Sequence, residues 1–145
     1  MLFRSNAEVP ATCILCVKSD PRGEIADKVG IATIIMNCLS NNAETLANNM
    51  SSIASSVHSK NLKALFQDCE KGFLEAKSDL STASNQLKVK DYDKTNHFVR
   101  TALEQEITCQ KNVVSLKLRV PSNVLYVMRV YEELSDAAMR IIDRF

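Results

Sequence analysis

Five cysteines, two histidines and a scatter of carboxylates are the residues in this chain with chemistry to offer. Cys69 and Cys109 lie equally far, 20 residues, from Val89, in a break between two helical patterns. If the flanks form an antiparallel hairpin turning near Lys88 to Asp91, each cysteine stands about 30 Å from the turn. Their sulfurs are then level and could bridge. The other reading is two buried thiols filling core positions, since free cysteine is among the most buried residue types. A bridge would place the protein in an oxidising compartment and contribute about 4 kcal/mol in the chain-entropy picture.

The remaining candidates point away from catalysis. Cys13-Ile14-Leu15-Cys16 has the spacing of a redox or zinc half-site, but a redox motif belongs at the start of a helix that follows a strand, and no strand pattern is present. Zinc needs two more ligands, and Cys38, His58 and His97 fit no finger spacing. No metal and no cofactor are expected. Neither histidine pairs with a nucleophile and an orienting carboxylate, so both read as solvated helix-surface residues. Glu104 and Glu106, two apart on a helix, point in different directions and make a poor acid/base couple. There is no glycine-rich phosphate loop. No catalytic residues are assigned, and no enzyme is expected. Asn49-Met50-Ser51 is an N-glycosylation sequon that agrees weakly with secretion. Lys88, Lys90 and Lys94 cluster at the hairpin tip and read as a solvated helix end.

Four segments with a seven-residue apolar repeat must position these residues. The first carries Ile25, Val29, Ala32, Met36, Leu39, Ala43, Leu46, Met50, Ile53 and Val57. The second carries Leu62, Phe66, Cys69, Phe73, Ala76, Leu80, Ala83 and Leu87. The third runs from Tyr92 through Val99, Ala102, Cys109, Val113 and Leu116, widened by Leu103 and Ile107, with Asp91 or Asp93 as its N-cap. The fourth starts at Pro121 and turns Val124, Met128, Tyr131, Leu134 or Ser135, Ala138, Ile141 or Ile142 and Phe145 inward. Short connections make neighbours antiparallel, so the expected fold is all-α, an up-down-up-down four-helix bundle over residues 24–145. Residues 1–23 are expected to form an N-terminal helical extension folded beside it.

Composition bounds the partners. The 145 residues suit one ordinary domain with a real core. Eighteen basic against seventeen acidic residues leave a formal charge of +1. Such balance gives no electrostatic footprint for nucleic acid or an anionic membrane. Prolines at 10, 21 and 121 alone leave a long interior free for helix. No stretch approaches the ~20 apolar residues of a membrane span. Met1 to Asn6 shows no signal-peptide pattern. That conflicts with a disulfide-bearing protein unless the chain is a processed or truncated product, or begins late.

Taken together, the residues resemble the plant invertase and pectin methylesterase inhibitor family. The most specific matches are Pro10-Ala11-Thr12-Cys13 followed by Ser19-Asp20-Pro21-Arg22, then Asp91-Tyr92-Asp93, then Thr108-Cys109. The resemblance implies a secreted four-helix bundle preceded by a small helical hairpin, with a disulfide between the second and third bundle helices at Cys69 and Cys109. It also implies a location in the apoplast or cell wall. Two departures stand out. The family has a cysteine about nine residues before the one matching Cys13, where this chain has Arg4, so the pairing of Cys13, Cys16 and Cys38 stays open. Invertase inhibitors typically carry Pro-Lys-Phe in the loop between the second and third bundle helices, where this chain reads Lys88-Val89-Lys90-Asp91-Tyr92.

The resemblance therefore tilts towards an inhibitor of a cell-wall pectin methylesterase, with acid invertase, cell-wall or vacuolar, as the second target. In the esterase branch acidic residues commonly follow the cysteine, and here Gln110 and Lys111 do, a change that could alter the partner. The expected target-binding face is His97, Thr101, Glu104, Thr108 and Lys111 on the third helix, with Asp68, Lys71 and Glu75 on the second. Of these, Thr108 carries over from the family by position. A reading of another class is a helical-bundle interaction protein that inhibits nothing. The partner expected is a protein, with no nucleic acid, membrane or small-molecule substrate.

Overall fold

The computed structural model describes residues 27–116 and 120–145. They form four α-helices: α1, Lys28–Ser56; α2, Lys60–Lys88; α3, Tyr92–Ser115; and α4, Ser122–Asp143. Packing runs around a ring, α1 on α2, α2 on α3, α3 on α4 and α4 on α1, which is a four-helix bundle. The expected residues 1–23 extension, Ile25, Cys13 and Cys16 lie outside the described residues.

Each of the first three helices begins on a side-chain cap. Asp27 Oδ1 accepts from Gly30 N at 2.8 Å, Ser59 Oγ from Leu62 N at 3.4 Å, and Asp91 Oδ1 from Lys94 N at 3.1 Å. These bonds satisfy amides that have no partner within their own helix. Pro121 sits just before α4 as its N-cap residue, without a side-chain cap bond, so the helix starts at Ser122.

The α2–α3 connection is a tight hairpin. Asp91 N donates to Gln86 O at 3.0 Å and Lys90 N to Leu87 O at 3.1 Å, the two bonds of a Schellman stop. That stop requires a left-handed residue, and Lys90 supplies it with φ 64°. Asp91 then ends one helix and caps the next. A ~1 kcal/mol penalty for a side chain at positive φ is the local cost.

The apolar stripes meet in one core. Phe66, Phe73, Ile35, Met36, Leu39, Leu46, Met50, Leu80 and Leu134 are among its fully buried side chains. Phe73 meets Tyr131 edge-on with ring centroids 6.4 Å apart, and Phe145 closes against Tyr92 at 5.1 Å. Emptying the Phe73 site would cost about 3–5 kcal/mol. Cys69 and Cys109 are both buried and are joined by a disulfide, with their Cα atoms 5.2 Å apart. Cys38, half-buried on α1, is also disulfide-bonded.

Two template positions are exposed, and three polar residues are buried where the template counts only apolar ones. Val29 is 38 % exposed because a strict seven-residue repeat drifts ~20° per heptad on a straight helix, which carries the first turn of α1 to the stripe edge. Leu116 is 49 % exposed because α3 ends at Ser115 and Leu116 lies past its last turn. The inner face of α3 is also more polar than an apolar count allows. Thr95, Asn96 and Glu106 are buried there alongside Val99, Ala102, Cys109 and Val113. Asn96 Nδ2 donates to Met139 O at 3.3 Å and to Asp143 Oδ1, which ties α3 to the last turn of α4.

Candidate target-binding face

The Cys69–Cys109 bridge fixes the register of α2 against α3, and everything on their shared outer surface follows from it. Gly72 falls opposite Gln105, where a Cβ would stand 3.1 Å from Gln105 Oε1. A helix-interior glycine costs about 1 kcal/mol relative to alanine. Here the missing side chain lets Gln105 lie across α2. Its Nε2 donates to Glu75 Oε2 at 3.3 Å, so one polar bond joins the two helices on the outer surface.

Towards the hairpin, Asp79 continues the same edge of α2. Its carboxyl is held above the ordinary range by burial, then by the charge of Glu75, while His97 of α3 acts in the opposite sense. His97 is exposed and stacks edge-on with Phe98, ring centroids 5.3 Å apart.

The residues expected on this face are placed as follows. Asp68, Lys71 and Glu75 are exposed on α2, and His97, Glu104, Thr108 and Lys111 are exposed on α3. Thr101 is half-buried, and its hydroxyl donates to His97 O at 2.9 Å, which commits its proton to its own helix. Glu75 is the member tied to the opposite helix. Gln105 and Asp79 were missed by sequence reasoning. A signal for Gln105 existed: the cysteine register sets residue 105 opposite residue 73, beside Gly72, where a long polar side chain has room. Asp79 follows from Glu75 by one helical turn.

Asn49 is half-buried in the middle of α1, with Met50 beside it fully buried. On the other side of α2, a groove of about 240 Å³ between α1 and α2 is lined by Asn37, Ser40, Ser81, Ser84, Asn85 and Lys88. Its polar groups are ordinary surface donors and acceptors.

Chemically, the α2–α3 surface offers carboxylates, ammonium groups, hydroxyls and an imidazole, held on two helices that a covalent bond keeps in register. Among the described residues, no group of three or more His, Cys, Asp or Glu is arranged to hold a metal ion. Among them, too, no helix is long and apolar enough to cross a membrane. The arrangement suits contact with another macromolecule: fixed donors and acceptors on a rigid, exposed surface lose little entropy on binding.

Comparison with known proteins supplies the wider context. A family model described as plant invertase/pectin methylesterase inhibitor matches residues 4–141. Among curated relatives, the cell wall / vacuolar inhibitor of fructosidase 2 of Arabidopsis thaliana is 29 % identical over 99 residues, 68 % of this chain and 55 % of its own length. The pectinesterase inhibitor of Actinidia deliciosa is 23 % identical over 101 residues, 70 % of this chain and 55 % of its own length. The chain thus spans about half the length of these relatives. In fold, it is similar to a mutant form of a pectin methylesterase inhibitor from Arabidopsis, with TM-score 0.79 and 20 % identity, covering 94 % of this chain and 89 % of that one.

Proposed function

Because the chain belongs to the plant invertase/pectin methylesterase inhibitor family, we propose that it is a proteinaceous inhibitor that covers the substrate cleft of a cell-wall pectin methylesterase. That it is an inhibitor of one of these enzymes is supported by the family match across residues 4–141. The bundle performs no chemistry of its own. It lays the α2–α3 face over the cleft and excludes polymeric substrate, with Thr108 at the centre and Asp68, Lys71, Glu75, Thr101, Glu104 and Lys111 around it. The Cys69–Cys109 bond prepays the ordering of this surface, because the two helices cannot slide while the partner docks.

The esterase is favoured by the α2–α3 loop, which reads Lys88-Val89-Lys90-Asp91-Tyr92 and lacks the Pro-Lys-Phe of invertase inhibitors. Acid invertase is the second reading, and the name of the Arabidopsis thaliana fructosidase inhibitor supports it. We place the protein outside the cell, in the apoplast or cell wall, because a structural disulfide persists in an oxidising compartment.

The test is a titration of purified plant pectin methylesterase and acid invertase, each against the same preparation of oxidised protein. The expected result is loss of esterase activity at near-stoichiometric inhibitor with invertase unaffected. Loss of invertase activity alone would transfer the target. Full activity of both enzymes at molar excess would leave a bundle that inhibits neither, and the proposal would fall.

A further inference from the structure

The inner seam of α3 steps by three and four through Val99, Ala102, Glu106, Cys109 and Val113, so a glutamate occupies a core position one turn from the disulfide. Glu106 is 0 % exposed, and neither of its carboxyl oxygens has a well-formed hydrogen bond. A buried carboxylate in that state would be heavily penalised unless a cation paired with it. Neither the Lys77–Glu44 nor the Lys94–Asp91 ion pair involves it, and among the described residues its oxygens have no hydrogen-bonded cation.

The groups that face Glu106 are themselves acids. From α4 come Glu132, half-buried, and beside it Glu133 and Asp136, whose charges act on Glu132. Tyr131, also on α4, is 0 % exposed with its hydroxyl unpartnered. From α2, Asp79 acts on Tyr131, and Asp79 in turn feels Glu75 and His97. From α1, none of the buried residues is polar or charged. Every titratable group in the cluster that lies inside the core is therefore neutral only when it carries its proton.

We propose that Glu106 is an acid-dependent switch in the α3 core seam: it belongs to the folded core as the uncharged acid, and its ionisation weakens the seam. The switch is independent of any enzyme target. Burial first, and then the charge of Glu132, push the Glu106 carboxyl from its ordinary 4.5 to about 9. Burial likewise raises Glu132, against the stabilising contact with Glu106. Burial and then Glu106 raise the Tyr131 phenol.

The sign follows from linkage. A carboxyl whose folded pKa lies above its unfolded one contributes stability that is fully present below pH 4.5 and is lost as pH rises towards about 9. Inside that window one extra proton is held by the fold. The unfolding constant then grows about tenfold per pH unit on account of this group. This group therefore favours the folded bundle increasingly as pH falls through that window.

Urea unfolding of wild type and Glu106→Gln between pH 5 and pH 8 reads this directly. Glutamine keeps the shape and cannot ionise. The ratio of the wild-type to the variant unfolding constant should rise about tenfold per unit. A ratio constant within threefold would overturn the proposal. Carboxyl ¹³C NMR of the wild type gives a second reading that needs no variant to fold. One glutamate, assigned to position 106, should titrate above pH 7, and titration of every glutamate below pH 6 would also overturn it. Glu132→Gln should lower that midpoint, and an unmoved midpoint would remove Glu132 from the switch.

Discussion

Replacing Cys69 and Cys109 together by alanine opens a ring closed across a separation of 40 residues. In the chain-entropy picture the lost constraint on the unfolded chain is about 13 cal/mol/K, or about 4 kcal/mol at 25 °C. With an unfolding entropy of about 2.1 cal/mol/K per residue over 145 residues, the melting temperature should fall by about 13 °C. Alanine is the suitable replacement because both sites are buried, and serine would bring hydroxyls into the core. Urea denaturation followed by far-UV circular dichroism measures the change. The helix signal before unfolding should be unchanged, since the apolar stripes of all four helices remain. The midpoint should move and the slope should rise little. A loss below about 1 kcal/mol would refute the claim that this bond holds α2 to α3, and would mean that the helices keep register through the core alone.

Two further substitutions act on named features of the fold. Lys90→Gly relieves a side chain at φ 64° in the α2–α3 stop, and stability should rise by about 0.5–1 kcal/mol in the same urea assay. Tyr131→Phe removes a buried hydroxyl that has no partner and should be neutral or stabilising by about 1 kcal/mol; a loss larger than that would mean the hydroxyl is bonded.

The helices were legible because their stripes are long and regular. The Phe66, Cys69, Phe73, Ala76, Leu80, Ala83, Leu87 series of α2 is buried at every position. The Asp91 cap and the level cysteines were equally readable, since capping and rise per residue are local geometry. An apolar template skips Glu106, although its spacing from Ala102 and Cys109 puts it on the seam. What escaped was therefore chemistry in a place where only apolar residues were sought. Leu116 was misplaced for the opposite reason: periodicity carries no information about where a helix stops. Gln105 escaped because its contact with Glu75 needs the glycine at 72 and the disulfide register at once, a relation between helices that no single stripe contains.

Whether the α2–α3 surface blocks an enzyme is read from residual pectin methylesterase activity with three equimolar proteins: wild type, Thr108→Arg and Ser52→Arg. Both substituted residues are exposed, one on α3 and one on α1 away from the proposed contact, so the two changes match in size and charge. If this surface makes the contact, wild type and Ser52→Arg inhibit alike, whereas Thr108→Arg leaves the esterase active while melting at the wild-type temperature. Equal inhibition by Thr108→Arg, or loss of inhibition with Ser52→Arg instead, would contradict it.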